Sequence, residues 1–298
     1  MGHDSQTLKM ASICMNSTAD YDRNVRLAEA LVRKAASHGA DWVMLPEMFS
    51  YYGPYDKLFD LAEFEGGSLY TCLSSLATEL RICLFAGTVN EKPNERELAK
   101  TKTVYNKSGD KTYQRVYNTL YVFDRCGKLV EKYRKTHLFN LFDHQGKRVF
   151  CEEDGYIPGQ ELKVITLESF TVGLAICFEV RFPGVFAKIR SLAYPDILAI
   201  PAAFTLGTGM DHWELLLRAR AVEHLCYVFA ANQTGAHSSE PGARASYGHS
   251  MIIDPWGHKL ADTGDDNAIA IATISRDRIK ACRLRLPITQ NERPELYE

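Results

Sequence analysis

Three side chains in this sequence could together cleave an acyl bond: Glu47, Lys135 and Cys177. A thiol is mostly protonated near neutrality, with an ordinary pKa of about 8.5, so a cysteine nucleophile needs a base or a nearby cation. A carboxylate can take that proton and return it to a leaving amine. An ammonium can offset the charge on a tetrahedral oxyanion, helped by a backbone N–H beside the nucleophile. Thiol, carboxylate and ammonium therefore make an acyl-transfer set without histidine, and one that calls for no metal or organic cofactor.

Each of the three follows an apolar run. Glu47 comes after Trp42-Val43-Met44-Leu45-Pro46, Lys135 after Leu129-Val130-Glu131-Lys132-Tyr133-Arg134, and Cys177 after Val172-Gly173-Leu174-Ala175-Ile176. In α/β folds, ligand sites gather where strands end and loops begin. Singly, each has an ordinary reading: a charge after a strand marks the chain entering solvent, and a cysteine beside apolar residues packs as a small hydrophobe. The set of three types is what points to chemistry. Among the other cysteines, Cys14, Cys83 and Cys226 sit inside apolar runs. No Cys-x-x-Cys pair occurs, which speaks against a zinc site, a redox pair or a disulfide framework.

The elements that must position these groups follow from periodicity. Leu8–Met15 reads as a buried strand, residues 22–37 as a helix ended by Gly39, and residues 41–45 as a strand stopped by Pro46. A helix over residues 69–80, a strand over 82–89 and a hairpin of 117–123 with 129–133 follow, with the polar stretch 91–111 as a surface excursion. The second half repeats this order: strand 171–176, helix 182–192, strand 196–200 closed by Pro201, helix 211–225, strand 226–232 and hairpin 250–253 with 259–262. Asp211 with Glu214 resembles a capping box at the start of the last helix. Strands apolar throughout imply burial on both faces. Two such halves, each a sheet with helices on one side, would bury their remaining faces against each other. The expected fold class is α/β, a four-layer α-β-β-α sandwich forming one domain over residues 1–298.

Composition sets outer limits. The chain has 298 residues, 46% hydrophobic and 24% charged, with a net charge of −2. Such a balance fits a soluble globular protein and gives no field favouring nucleic acid or an anionic membrane. No apolar stretch reaches the roughly 20 residues that span a bilayer. The polar start, residues 1–7, has no signal-peptide run and is expected to be disordered, so the chain reads as cytoplasmic. Residues 283–298 have too few apolar side chains for a core element and read as a tail able to lie across a neighbouring subunit.

Several segments resemble the signature motifs of the nitrilase, or carbon–nitrogen hydrolase, superfamily. They are Leu45-Pro46-Glu47-Met48-Phe49, Tyr133-Arg134-Lys135-Thr136-His137-Leu138 and Gly173-Leu174-Ala175-Ile176-Cys177-Phe178-Glu179-Val180-Arg181-Phe182-Pro183. They occur in the family's order, and the similarity continues through residues 208–214, 218–223 and 247–257. The resemblance implies a Glu–Lys–Cys triad of Glu47, Lys135 and Cys177, and a nitrilase-like fold. It also implies a second glutamate before a Pro-Gly turn, matched by Glu152, with adjacent Glu153 as its rival.

Within the superfamily, Cys177-Phe178-Glu179 departs from the Cys-Trp-Glu of nitrilases proper, and Val180-Arg181-Phe182-Pro183 departs from the N-carbamoyl branches. The segments look most like the Nit-type amidases, which cleave ω-amides of dicarboxylic acids or deaminated glutathione. Residues 226–228 and 244–250 lean towards the deaminated-glutathione type. The implied reaction cleaves a small-molecule amide to a carboxylate and ammonia through a cysteine thioester, with the Phe178 N–H sharing the oxyanion. Such substrates carry a remote carboxylate, for which Arg181 is the candidate ligand; an ion pair with Glu179 or another acid is its alternative. Phe204 and Thr208 are implied pocket residues, with core packing as the alternative for Phe204. His137, His212 and His249 are too dispersed to suggest a metal and read as hydrogen-bonding residues. Rival functions are a nitrilase or N-carbamoyl amidohydrolase and, outside enzymes, a catalytically silent assembly protein. Relatives of this kind form homodimers or larger homo-oligomers, which is the expectation here.

Overall fold

Apolar strands alternating with amphipathic helices build two mixed sheets stacked face to face. The computed structural model describes residues 7–100, 104–105, 112–240 and 243–296. In the first sheet, Thr7–Cys14, Trp42–Met44 and Cys83–Glu91 run parallel. Val116–Phe123 and Leu129–Arg134 extend it as an antiparallel hairpin. The second sheet repeats the scheme with Phe170–Leu174, Ile197–Ala202 and Tyr227–Asn232 parallel, then Met251–Ile253 and Lys259–Asp262 antiparallel. The repeat of the two halves is as the periodicity implies.

Helices cover the outer faces. Tyr21–Ser37 is capped by Asp20, whose side chain accepts from the Arg23 N–H at 3.0 Å, and it buries Ala28, Leu31, Val32 and Ala35. With Ser68–Leu80 it shields the first sheet. Pro183–Leu192 and Leu206–His224 pack Phe186, Ile189, Trp213 and Leu217 against the second. Each large apolar side chain so buried is worth about 1.5–3 kcal/mol. Between the sheets, Trp42 meets Phe85 and Phe170 with ring centroids 5.4 and 5.9 Å apart, and Phe85 meets Phe229 at 5.6 Å. The Ser12 hydroxyl crosses the interface to the Ala230 carbonyl at 2.8 Å. The expected four-layer α-β-β-α order is what the chain adopts.

Several expectations need correction. The strand Ala268–Ser275 returns from the second half to pair with all of Thr7–Cys14, so the halves interlock. The expected order of elements ends before that strand, at residue 262. Thr7, expected to be disordered, pairs with Ser275 in that ladder, whereas residues 1–6 lie outside the described residues. Pro201 does not close its strand; Ile197–Ala202 runs through it, pairing Pro201 with Ala231. The helix expected from Asp211 begins at Leu206 after Thr205, so Asp211 is interior and no capping box forms there. The early Gly207 and Gly209 disguised that start. The expected tail begins inside an element: Arg283 belongs to the helix Arg276–Arg285, bonds Asp196 at 3.2 Å and stacks on Tyr194, and residues 297–298 lie outside the described residues. Within the polar excursion, Glu95–Leu98 is a short helix capped by Asn94, and residues 101–103 and 106–111 lie outside the described residues.

Candidate active site

Glu47, Lys135 and Cys177 all emerge where strands of the two sheets end against each other. The strand Trp42–Met44 stops at Pro46, and the turn is pinned by the Met48 N–H on the Thr88 hydroxyl at 2.8 Å. Gly87 lets this turn approach: a Cβ there would stand 2.0 Å from the Pro46 carbonyl oxygen. Lys135 leaves Leu129–Arg134 with its N–H on Asn118 O at 2.9 Å and its carbonyl taking the Gly159 N–H at 2.8 Å. Cys177 opens a one-turn 3-10 helix, Cys177–Arg181, with a φ of +48°. A left-handed non-glycine residue is strained, and surrounding bonds must hold it.

Glu179 supplies those bonds. Its buried carboxylate accepts the Ile176 N–H at 2.7 Å, the Thr136 N–H at 2.7 Å and the Tyr133 hydroxyl at 2.7 Å. Burial pushes the Glu179 carboxyl upward, but donors from His137, Thr136, Tyr133 and Ile176 outweigh it and hold the group below its ordinary value. The turn carrying Cys177 is thereby fastened to the segment carrying Lys135.

The carboxylates meet at Lys135. Its Nζ donates to Glu47 Oε1 at 2.8 Å and to Glu152 at 2.8 Å, with the lysine side chain fully buried. Glu47 also accepts from Asn118 Nδ2 at 2.8 Å and, on Oε2, from the Ala203 N–H at 2.8 Å. Glu152 accepts the Phe139 N–H at 2.7 Å. Burial disfavours the Lys135 charge, yet Glu152 and Glu47 together raise its pKa well above the ordinary value. Glu152 shifts upward, by burial first and by the nearby Glu47 charge, against the pull of Lys135. Cys177 is raised well above an ordinary thiol, again by burial first, then Glu47, with Lys135 opposing. The Ala203 N–H faces both Glu47 and the Cys177 sulfur. This arrangement can keep a thiol protonated at rest, receive its proton on a carboxylate, and present a cation to a developing oxyanion.

The remaining expected residues divide. Glu152, not its rival Glu153, faces Lys135; Glu153 is exposed and pairs with Arg148 at 2.9 Å. Phe178 packs on Phe139 and Phe182, each with centroids 5.1 Å away. Arg181 does not pair with Glu179, whose oxygens are taken; its guanidinium lies 4.8 Å from the Phe204 ring and 3.2 Å from His212 Nδ1. Phe204 lies under the Arg181 guanidinium and packs on Trp213 at 5.0 Å. The Thr208 hydroxyl bonds Thr205 at 2.8 Å, and no hydrogen bond joins it to the other expected site residues among those described. His137 stacks on Phe182, His212 meets Arg181 and His249 contacts Asp262, three separate settings. Among the described residues, no group of three or more His, Cys, Asp or Glu could hold a metal.

Asn118, Tyr52, Gln233 and the bracing role of Glu179 were not read from the sequence. Gln233 Nε2 donates to Glu47 O at 2.9 Å, and Tyr52 feels the charges of Glu47, Glu152 and Cys177. The usable signal was polarity inside apolar strands: Asn118-Thr119 within Val116–Phe123, and Asn232-Gln233 after Tyr227–Ala231.

Comparison with known proteins bears on this geometry. Residues 9–284 match the family described as carbon–nitrogen hydrolase. Human deaminated glutathione amidase is 35% identical over 294 residues, covering 97% of this chain and 84% of the human one. Bovine omega-amidase NIT2 is 33% identical, covering 98% of this chain and 97% of its own. The crystal structure of the C. elegans NitFhit protein superposes with a TM-score of 0.86 at 31% identity, over 99% of this chain and 67% of that one.

Proposed function

The chain belongs to the carbon–nitrogen hydrolase family and is an amidase of the nitrilase superfamily, and we propose that Cys177, Glu47, Lys135 and Glu152 perform its chemistry on a small amide bearing a remote carboxylate. The observation that carries this reading is the buried Glu47–Lys135–Glu152 cluster, with both lysine bonds at 2.8 Å, beside a strained Cys177. No helix of the described residues is long and apolar enough to cross a membrane.

In the proposed cycle, Glu47 takes the Cys177 proton as sulfur attacks the amide carbon, since a thiol raised by burial does not stand ionised beforehand. Lys135 and the Phe178 N–H receive the oxyanion. Glu47 then gives the proton to the departing nitrogen, the C–N bond breaks, and a thioester remains. Water deprotonated by Glu47 attacks the thioester, and the thiol leaves with the returned proton. Glu152 holds the Lys135 ammonium in place throughout.

The substrate is deaminated glutathione or an ω-amide of a dicarboxylic acid, in keeping with relatives named deaminated glutathione amidase and omega-amidase. Arg181 binds the carboxylate on the acyl side, with Phe204 beside it and Thr208 as a further pocket residue; a guanidinium with no acidic partner among the described residues supports this. An ω-amide would release ammonia. Deaminated glutathione is a peptide amide, so its leaving group is an amine, and the expectation of ammonia holds only for the former. Exposed Leu215 and Val222, seven residues apart on one helix face, support a homo-oligomer, which light scattering tests.

The deciding experiment follows hydrolysis of deaminated glutathione, α-ketoglutaramate, glutamine, an aliphatic amide, a nitrile and an N-carbamoyl amino acid. Each is assayed with the full chain and with Cys177→Ala. Turnover of either of the first two, lost in Cys177→Ala, supports the reading. Turnover confined to the nitrile or carbamoyl compound overturns the substrate assignment, and activity surviving in Cys177→Ala overturns the nucleophile.

A further inference from the structure

A second guanidinium near the catalytic cluster has no acid to pair with. Arg125, Arg134, Arg220, Arg278 and Arg283 all meet carboxylates. Arg244, also withdrawn from solvent in part, has no carboxylate partner among the described residues. Its guanidinium lies between two rings, 4.3 Å from the Phe150 centroid and 4.8 Å from that of Tyr52. Ring faces attract a cation but leave its in-plane N–H donors unused, and those donors match a carboxylate.

A polar group lies beside it. The Tyr55 hydroxyl is buried, forms no hydrogen bond of ordinary geometry, and faces the Arg244 guanidinium closely enough to help hold its charge. Buried polar groups left unpaired are uncommon and point to an absent partner. Tyr55 packs against Phe150 and Tyr156 with centroids 5.9 and 5.8 Å away, so the hydroxyl and guanidinium share one aromatic wall. That wall is firm. Tyr52 stacks on His237 at 3.5 Å, and His237 is held by Ser17 O and Ser246 Oγ, both at 2.8 Å. It also adjoins the cluster, because Tyr52 senses Glu47, Glu152 and Cys177. Arg181 stands on other supports, Phe204 and His212.

We propose that Arg244 and the Tyr55 hydroxyl form a second carboxylate subsite, so that the preferred substrate carries one carboxylate for Arg181 and another, beyond the scissile amide, for Arg244. This rests on the amidase reading above and deepens it. A primary ω-amide has only one carboxylate and leaves the subsite empty. An amide whose leaving amine itself bears a carboxylate, as a peptide-like amine does, fills both. The geometry thus selects secondary amides with a negatively charged leaving side.

The test compares two amides with the same acyl group: α-ketoglutaramate, with one carboxylate, and its N-carboxymethyl derivative, with two. Dissociation constants are measured by calorimetry on the full chain carrying Cys177→Ala, with and without Arg244→Gln, Arg244→Lys or Tyr55→Phe. The expected result is that Arg244→Gln weakens the doubly charged amide at least tenfold more than the singly charged one, with Arg244→Lys recovering part of that difference and Tyr55→Phe losing a smaller part. Equal weakening of both amides, or of neither, overturns the subsite and leaves Arg244 as packing for Tyr52 and Phe150. Hydrolysis of both amides by the unsubstituted chain is followed in parallel. Failure there counts against the amidase substrate reading, while the binding ratio still decides the role of Arg244.

Discussion

The Tyr133 hydroxyl reaches both carboxylate oxygens of Glu179, at 2.7 and 2.8 Å. Tyr133 precedes Lys135 by two residues and Glu179 follows Cys177 by two, so one contact joins the segments that carry the ammonium and the thiol. The same carboxylate holds the Ile176 N–H, directly before the left-handed Cys177. Glu179 thereby sets the distance between the Cys177 thiol and the Lys135 ammonium without touching either group.

Weakening this brace should cost catalysis and stability together. Tyr133→Phe and Glu179→Gln each remove part of a buried network, a loss of about 1–3 kcal/mol. Both are expected to lower kcat more than they raise KM. The folded-state pKa of Glu179 is depressed, so its contribution is present above the ordinary carboxylate value and fades as pH falls through the depressed one. Urea unfolding at pH 7 and pH 4 should therefore show a smaller gap between Glu179→Gln and the unsubstituted chain at pH 4. An unchanged kcat with reduced stability would assign Glu179 to the fold alone.

Cys177 should behave as a buried thiol until substrate arrives. Burial and the Glu47 charge raise its pKa well above 9.0, with Lys135 only partly opposing. Alkylation of Cys177 by iodoacetamide is therefore expected to accelerate with pH up to and beyond 9, slower at neutrality than at the exposed Cys72 and Cys126. Mass spectrometry of each cysteine against pH reads this directly. A Cys177 rate that levels off below pH 7 would mean a standing thiolate, and proton transfer to Glu47 would then precede substrate binding.

Much of this was legible in the chain, and the gaps have physical causes. The two halves were visible because strands buried on both faces are apolar throughout, as Leu198–Ala202 and Val228–Ala231 are. Ala268–Ser275 is equally apolar at its start, but its partner is the chain's first strand, and no local pattern names so distant a neighbour. Residue types and motif order put Glu47, Lys135, Glu152 and Cys177 forward together. What they could not give is the shape of the cluster: two carboxylates on one ammonium, and a backbone N–H at Ala203 whose identity leaves no mark on its side chain. Arg181 and Glu179 stand close in sequence, which suggested an ion pair, but the tight turn sends Glu179 inward and Arg181 towards Phe204.

Glu152 gives a pH-dependent test of the cluster. Its folded-state pKa is raised from 4.5, by burial first and then by Glu47, against Lys135. A raised carboxyl binds its proton more tightly in the native state, so stability is greatest below 4.5 and falls as pH rises through the raised value. Glu152→Gln cannot titrate and lacks that slope. Between pH 4.5 and 7.5, its unfolding midpoint relative to the unsubstituted chain should therefore climb with pH, while its turnover falls because Lys135 loses an anchor. A difference that instead declines with pH would show the Lys135 attraction outweighing burial.

Two glycines set how closely the backbone can bring these groups together. At Gly87 an added Cβ would lie 2.0 Å from Pro46 O and 2.4 Å from Leu45 O, directly under Glu47. At Gly159 it would lie 2.2 Å from Arg134 O, directly before Lys135. Backbone oxygens cannot swing aside as a side-chain tip can, so either methyl must push its neighbouring segment away. Overpacking of this kind costs about 1–3 kcal/mol. Gly87→Ala and Gly159→Ala are each expected to lower the thermal midpoint by several degrees and kcat by at least about tenfold, because a shift of about 1 Å at a reacting group is felt steeply. Gly146→Ala, where nothing lies within 4 Å of the added Cβ, controls for losing a glycine as such. Its φ of +75° still costs stability, so only kcat separates the three: it should hold in Gly146→Ala and drop in the other two. Equal kcat in all three variants would mean that the Glu47 and Lys135 segments absorb the methyl without moving the groups they carry.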